Sequence, residues 1–188
     1  MMESVPPDRD LVMRARGGDA AAFASLVRRH SRAAYAVALS VLANRSDAED
    51  VCQDAWVRAL ERLDDCRQPD RFAGWLLRIV RNRALNHLEY RRVRRAEDLE
   101  SAFGVEGPPG GGDASRGIEQ ARLRERLERA LREIPDAQRE VLLLHDLTGW
   151  DHRAIAEGLG ITENLCRQRL FQARTRMRKL LDEQGGTP

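Results

Sequence analysis

Residues 71–95 read RFAGWLLRIVRNRALNHLEYRRVRR, and the rest of the chain is best understood outward from this stretch. Apolar residues recur at three- and four-residue steps and no proline interrupts them, which predicts one long helix. Ala73, Leu76, Leu77, Val80, Ala84 and Leu88 form an aliphatic stripe suited to a core. Trp75, Ile79, Asn82 and Asn86 follow helical spacing on a second stripe that mixes an aromatic ring with two amides. Eight arginines, at 71, 78, 81, 83, 91, 92, 94 and 95, face one acid, Glu89. Cations, amides and a stacking ring on a rigid rod suit a phosphate backbone and unpaired bases. The same residues also fit a solvated arginine-rich helix whose Trp75 packs in a core. The neighbouring segments separate the two readings.

Immediately upstream, DDCRQPD at 64–70 reads as a loop, since Pro69 ends any continuation of a preceding helix. Before it, SDAEDVCQDAWVRALERL predicts a helix opened by a capping box of Ser46 and Glu49. Its inward side is expected to hold Ala48, Val51, Cys52, Ala55, Val57, Ala59, Leu60 and Leu63, leaving Glu49, Asp50, Gln53 and Asp54 outside. Seven acids and two arginines lie between Ser46 and Asp65, so an acidic helix adjoins a basic one. Further back, Asp19 is placed to cap a helix running to about Asn44, and Asp8–Arg16 predicts a short helix stopped by Gly17-Gly18.

Downstream, composition changes abruptly between residues 97 and 117, where glycine and proline replace periodic apolar residues. A flexible linker is expected there, with the two halves moving independently. Helical patterning resumes from Ile118, with segments at 118–133, 136–147, about 152–159, and after Thr162. The short HRAIAEGL helix, the Gly160-Ile161 turn and a longer basic helix make a helix-turn-helix at about His152–Phe171. Cys166, Leu170, Ala173, Met177 and Leu180 are its inward stripe, so Asn164, Arg167, Gln168, Arg169, Gln172 and Arg174 are the candidates for a DNA groove. No strand pattern appears. The expected fold is all-α: a helical unit at 1–96, the linker at 97–117, a second helical unit at 118–183 and a tail at 184–188.

Bulk properties exclude several classes. Over 188 residues the net charge is only +2, so charge informs through its distribution. Cys52, Cys66 and Cys166 are widely spaced and form no metal motif; they read as reduced thiols. The N-terminal MMESVPPDRD lacks the character of a signal peptide, and the longest nearly apolar run, 33–43, is too short to span a bilayer. The four histidines pair with no cysteine or carboxylate at metal spacing, and Gly110–Gly112 lacks the lysine of a phosphate loop. No catalytic residue, metal or cofactor is assigned.

These segments, in this order, resemble the extracytoplasmic-function sigma factors of bacterial RNA polymerase. SDAEDVCQDAWVRALERL looks like the helix that docks on the β′ clamp helices, FAGWLLRIVRNRALNHLEYRRVRR like the segment that melts and reads the −10 element, and IPDAQREVLLLHDLTGWDHRAIAEGLGITENLCRQRLFQARTRMRKLL like the −35 reader. The Trp75-to-Asn86 arrangement is the most specific match. The resemblance implies a cytoplasmic, non-enzymatic protein whose partners are core polymerase (β′ clamp helices and β flap), promoter DNA and an anti-sigma factor, without membrane insertion. It implies polymerase contacts at Glu49, Asp50, Gln53, Asp54 and Trp56. It implies −10 contacts at Trp75, Asn82, Arg83, Asn86, Arg91, Arg92, Arg94 and Arg95, with Asn82 and Asn86 reading bases and the 64–70 loop forming part of a flipped-base pocket. The family's usual Gly-Thr-Val-Lys-Ser-Arg is replaced here by Asn164-Leu165-Cys166-Arg167-Gln168-Arg169, so promoter preference is not transferable from relatives. A stand-alone helix-turn-helix repressor with a sensing or dimerising N-terminal bundle is the competing class; it would bind a palindromic duplex as a dimer.

Overall fold

The computed structural model describes residues 6–98 and 114–185, and the core of the expected linker lies outside them. Within the described residues the chain forms eight α-helices and no strand: α1 (Asp8–Arg16), α2 (Ala20–Leu42), α3 (Arg45–Glu61), α4 (Phe72–Asp98), α5 (Ala114–Arg132), α6 (Asp136–Thr148), α7 (His152–Leu159) and α8 (Glu163–Gly185). Two 3₁₀ turns, Leu63–Asp65 and Pro69–Arg71, shape the loop between α3 and α4.

Local chemistry sets most boundaries. Asp19 caps α2 by accepting from the Ala22 amide, and Asp151 caps α7 by accepting from Ala154. The N-cap of α3 is Asn44, which accepts from the Asp47 amide, rather than the expected Ser46, which lies inside the helix. One cause is visible just upstream. Ala43 takes the left-handed conformation (φ 49°) at the end of α2, so the chain turns there and Asn44 is already extended at the start of α3. Gly149 and Gly160 close α6 and α7 at φ 75° and 67°, where a side chain would be strained.

The first core is alanine-rich. Ala33, Ala34, Val37 and Ala38 of α2 meet Ala48, Val51, Ala55 and Ala59 of α3 and Leu76, Val80 and Ala84 of α4, all buried. Small side chains let the three helices approach closely. Three expected inward residues point out instead: Val57 is 59% exposed, Leu60 52% and Leu88 39%. The stripe through 48, 51, 55 and 59 already fills the inner face of α3, which leaves 57 and 60 outside it.

In this structure the two halves pack against each other. α6 lies along α2, α7 against α4, and Ile134, Val141, Leu144 and Ile155 join one continuous core cluster with Leu39, Phe72 and Leu77. Arg132 Nε donates to the Ala43 carbonyl at 3.4 Å, and Arg81 pairs with Glu140 at 2.5 Å.

Candidate nucleic-acid interface

α3 and α4 run side by side and carry opposite charge. On α3, Asp50, Gln53, Asp54 and Val57 follow three- and four-residue steps along one exposed face, with Glu49, Leu60 and Glu61 at its margins. An apolar centre with an acidic rim is the composition of a protein-binding face. Sequence reasoning missed Val57 and Leu60; the signal was the small-residue stripe, complete without them. Trp56 is half-buried, its ring edge-on to Phe23 at 5.9 Å, and so is committed largely to the core.

On α4, Arg78, Asn82, Arg83, Leu85, Asn86, Arg92 and Arg94 are exposed. Asn82 and Asn86 are one helical turn apart and make no side-chain hydrogen bond within the described residues, so both amides are free for a ligand. Arg83 donates to Asp54 at 2.7 Å, which joins a candidate DNA contact to a candidate polymerase contact in one ion pair. Arg91 is half-buried against Asp47, and the Arg94 guanidinium lies 5.5 Å from the Tyr90 ring centre. The side chain of Arg95 lies outside the described residues. Trp75 is half-buried, 5.7 Å from the Phe72 ring.

Arg16 of α1 fixes the loop before α4. Its guanidinium donates to the carbonyls of Leu63 (3.1 Å) and Cys66 (2.6 Å), tying the turn to the bundle. The loop, Arg71, Trp75 and Arg78, with Glu157 and Gly158 of α7 on the facing side, line a cavity of about 480 Å³, roomy enough for a nucleobase. Cys66 is buried at its base; burial pushes its thiol above the usual range, against the nearby Arg16 charge.

The helix-turn-helix forms as the sequence predicts. Thr162 Oγ accepts from the Leu165 amide at 3.2 Å, opening α8. Cys166, Leu170 and Ala173 are buried, with the Cys166 sulfur 3.5 Å from His152 Nδ1. On the outer face, Arg167 is bound to Glu163 at 2.7 Å and to Asn164 at 3.2 Å, while Gln168 is exposed. Arg169 is half-buried, and Gln172 accepts from Gln138 at 3.0 Å. Arg174 pairs with Asp146 at 2.5 Å; burial works against the Asp146 carboxylate, but the bonds from Arg174 and His145 hold its pKa below the usual range. Phe171, unassigned from sequence, is 73% exposed among these polar residues. Its position opposite the Cys166–Leu170–Ala173 stripe was the available signal. Arginine, glutamine and an aromatic together offer hydrogen bonds to guanine and adenine and an apolar contact for a thymine methyl.

Among the described residues no group of three histidine, cysteine or carboxylate side chains is placed to hold a metal ion. No described helix is long and apolar enough to cross a membrane.

Comparison with known proteins agrees with this geometry. Residues 26–95 match the family model for sigma-70 region 2, and residues 124–177 that for sigma-70 region 4. The chain is 36% identical to the RNA polymerase sigma factor CnrH of Cupriavidus metallidurans, over 93% of this chain and 94% of that protein. It is 30% identical to the ECF RNA polymerase sigma factor SigM of Mycobacterium tuberculosis, over 93% and 84% respectively. The solved structure of CnrH in complex with the cytosolic domain of CnrY superposes with a TM-score of 0.64 at 30% identity, covering 94% of this chain and 97% of that one.

Proposed function

The chain belongs to the sigma-70 family, as an extracytoplasmic-function RNA polymerase sigma factor, and from that premise we propose how its surfaces divide the work. Residues 1–96 bind core polymerase and the −10 element, and residues 118–183 bind the −35 element. The observation that carries this division is the presence of two separate exposed readers. One is the amide- and arginine-bearing face of α4 beside a base-sized cavity; the other is the outer face of α8 in a helix-turn-helix.

On α3, Asp50, Gln53 and Asp54 supply charge and hydrogen bonds and Val57 and Leu60 supply desolvated area for the β′ clamp helices. Asn82 and Asn86 read unpaired bases of the −10 element. Removing a base from the stack costs a few kcal/mol, and stacking returns roughly 1–3 kcal/mol per base. The loop at 64–70 and Trp75 offer that surface. Arg83, Arg92, Arg94 and Arg95 bind phosphates, with Arg91 holding α4 to α3 through Asp47. On α8, Asn164, Arg167, Gln168, Phe171 and Gln172 face the −35 major groove, and Arg169 and Arg174 orient the helix. The similarity to CnrH, whose solved complex contains the cytosolic domain of CnrY, supports an anti-sigma factor as a further partner.

Gel filtration with bacterial core polymerase, followed by transcription from a fragment library of the source genome, tests the proposal. Co-elution and new initiation at sites sharing two motifs is the expected result. Tight binding of a palindromic duplex by the chain alone, without co-elution, would establish the repressor class instead.

A further inference from the structure

Resting on the sigma-factor reading, we infer that α1 and the turn before α4 form a second nucleotide site, which takes the neighbour of the base held beside Trp75 in the melted promoter strand. Arg9, Met13 and Arg16 follow four- and three-residue steps and share one face of α1. α1 packs against the Pro69–Arg71 turn, and Arg9, Met13, Arg16, Arg67 and Arg71 line a cavity of about 580 Å³ there. Arg67, Gln68 and Arg71 also line the base-sized cavity beside Trp75. The two cavities thus share a wall. A strand that sends one base in beside Trp75 carries its next nucleotide across this wall to α1.

The chemistry of the α1 cavity fits that occupant. Four guanidinium groups stand against one carboxylate, Asp70. Asp70 lies 3.5 Å from Arg9, with the two side chains 68% and 64% exposed. An ion pair so exposed contributes little to stability and yields to a phosphate at little cost. Arg16 is committed to the Leu63 and Cys66 carbonyls and shapes the wall, whereas Arg9, Arg67 and Arg71 are exposed. Met13 is 54% exposed, and its sulfur accepts from Arg16 Nη1 at 3.7 Å, which steadies the thioether on the cavity side of α1. A soft apolar side chain among arginines gives a base a surface to lie against while the cations take its phosphate. An acidic peptide would use the arginines but not Met13, and the shared wall with the base cavity favours the nucleotide.

The holoenzyme tests this on a fork made from a promoter recovered in the library screen, with its −10 strand unpaired. Each side chain has its own signature. Arg9→Gln should make the fall of log affinity with log salt shallower by about 0.7, the value for one phosphate contact on a single strand. Met13→Ser should keep the parent salt slope and weaken fork binding about fivefold. That loss should vanish when one particular nucleotide of the unpaired strand is made abasic, because the site then has no base to hold. Both side chains are exposed, so melting temperature and co-elution with core polymerase should match the parent chain.

Parent affinity and parent slope in both variants would overturn the inference, as would a Met13→Ser loss that persists at every abasic position. Weaker co-elution of the Arg9→Gln chain with polymerase would overturn it too, and would give the cavity to an acidic polymerase segment. Failure of the parent holoenzyme to prefer the fork over unrelated sequence would instead remove the sigma-factor reading.

Discussion

Asp8 lies in the first turn of α1 and reaches back to α2, where His30 Nε2 stands 2.8 Å from its carboxylate and Arg29 pairs with it as well. Burial raises the Asp8 pKa, and the His30 and Arg29 contacts outweigh that effect, leaving it below the ordinary value of 3.8. A carboxyl with a lowered folded pKa stabilises the fold above its unfolded pKa and loses that contribution as pH falls through the folded value. Asp8→Asn should therefore cost about 1–2 kcal/mol near neutral pH. The gap from the parent chain should narrow below pH about 4, as thermal melts across pH would record. At the same scale, Val57→Ala and Leu60→Ala remove exposed side chains. Their melting temperatures should stay within the range expected for about 0.5 kcal/mol, while affinity for core polymerase falls about tenfold in a titration. Cys52 is held inert by burial, which pushes its thiol up to about 12 with the Glu49 charge adding to the effect. Disulfide exchange at Cys52 should accordingly be slow in the native chain and fast once it unfolds.

Among the elements, α3 separates two explanations of helix initiation. Asn44 bonds the Asp47 amide in the structure, whereas the sequence pattern favoured Ser46. Asn44→Ala should destabilise by about 1 kcal/mol and Ser46→Ala by much less, measured by chemical denaturation. The ambiguity arose because Asn44, Ser46 and Asp47 are all capping residues, and a capping pattern cannot reveal which backbone already turns. In the helix-turn-helix no such competition exists. Asp151, Gly160 and Thr162 each fit one position, and each takes it in the structure. Gly160→Ala, at φ 67°, should cost about 1 kcal/mol and, under the proposed −35 role of α8, weaken promoter binding in a mobility shift by misdirecting that helix.

For the molecule as a whole, the continuous core has a consequence for stability. Ile134, Val141 and Ile155 share one cluster with residues of α2 and α4, so the two halves should unfold together. One calorimetric transition is expected for the full chain, and two resolved transitions would show that the halves are energetically separate. The sequence by itself determined the helices, the alternation of acidic and basic segments and the helix-turn-helix, because periodicity and charge are local properties, and the resemblance of its motifs, the Trp75-to-Asn86 arrangement above all, pointed to the family. The tertiary structure alone decided that α6 covers α2 and that Gly74 meets Gly158. It also decided that Arg83 is tied to Asp54 and Arg81 to Glu140. Each of these depends on which helix face finds a partner. Once neighbouring small residues fill one face, the remaining apolar side chains are left outside, and pairings across dozens of residues follow from packing rather than from spacing along the chain.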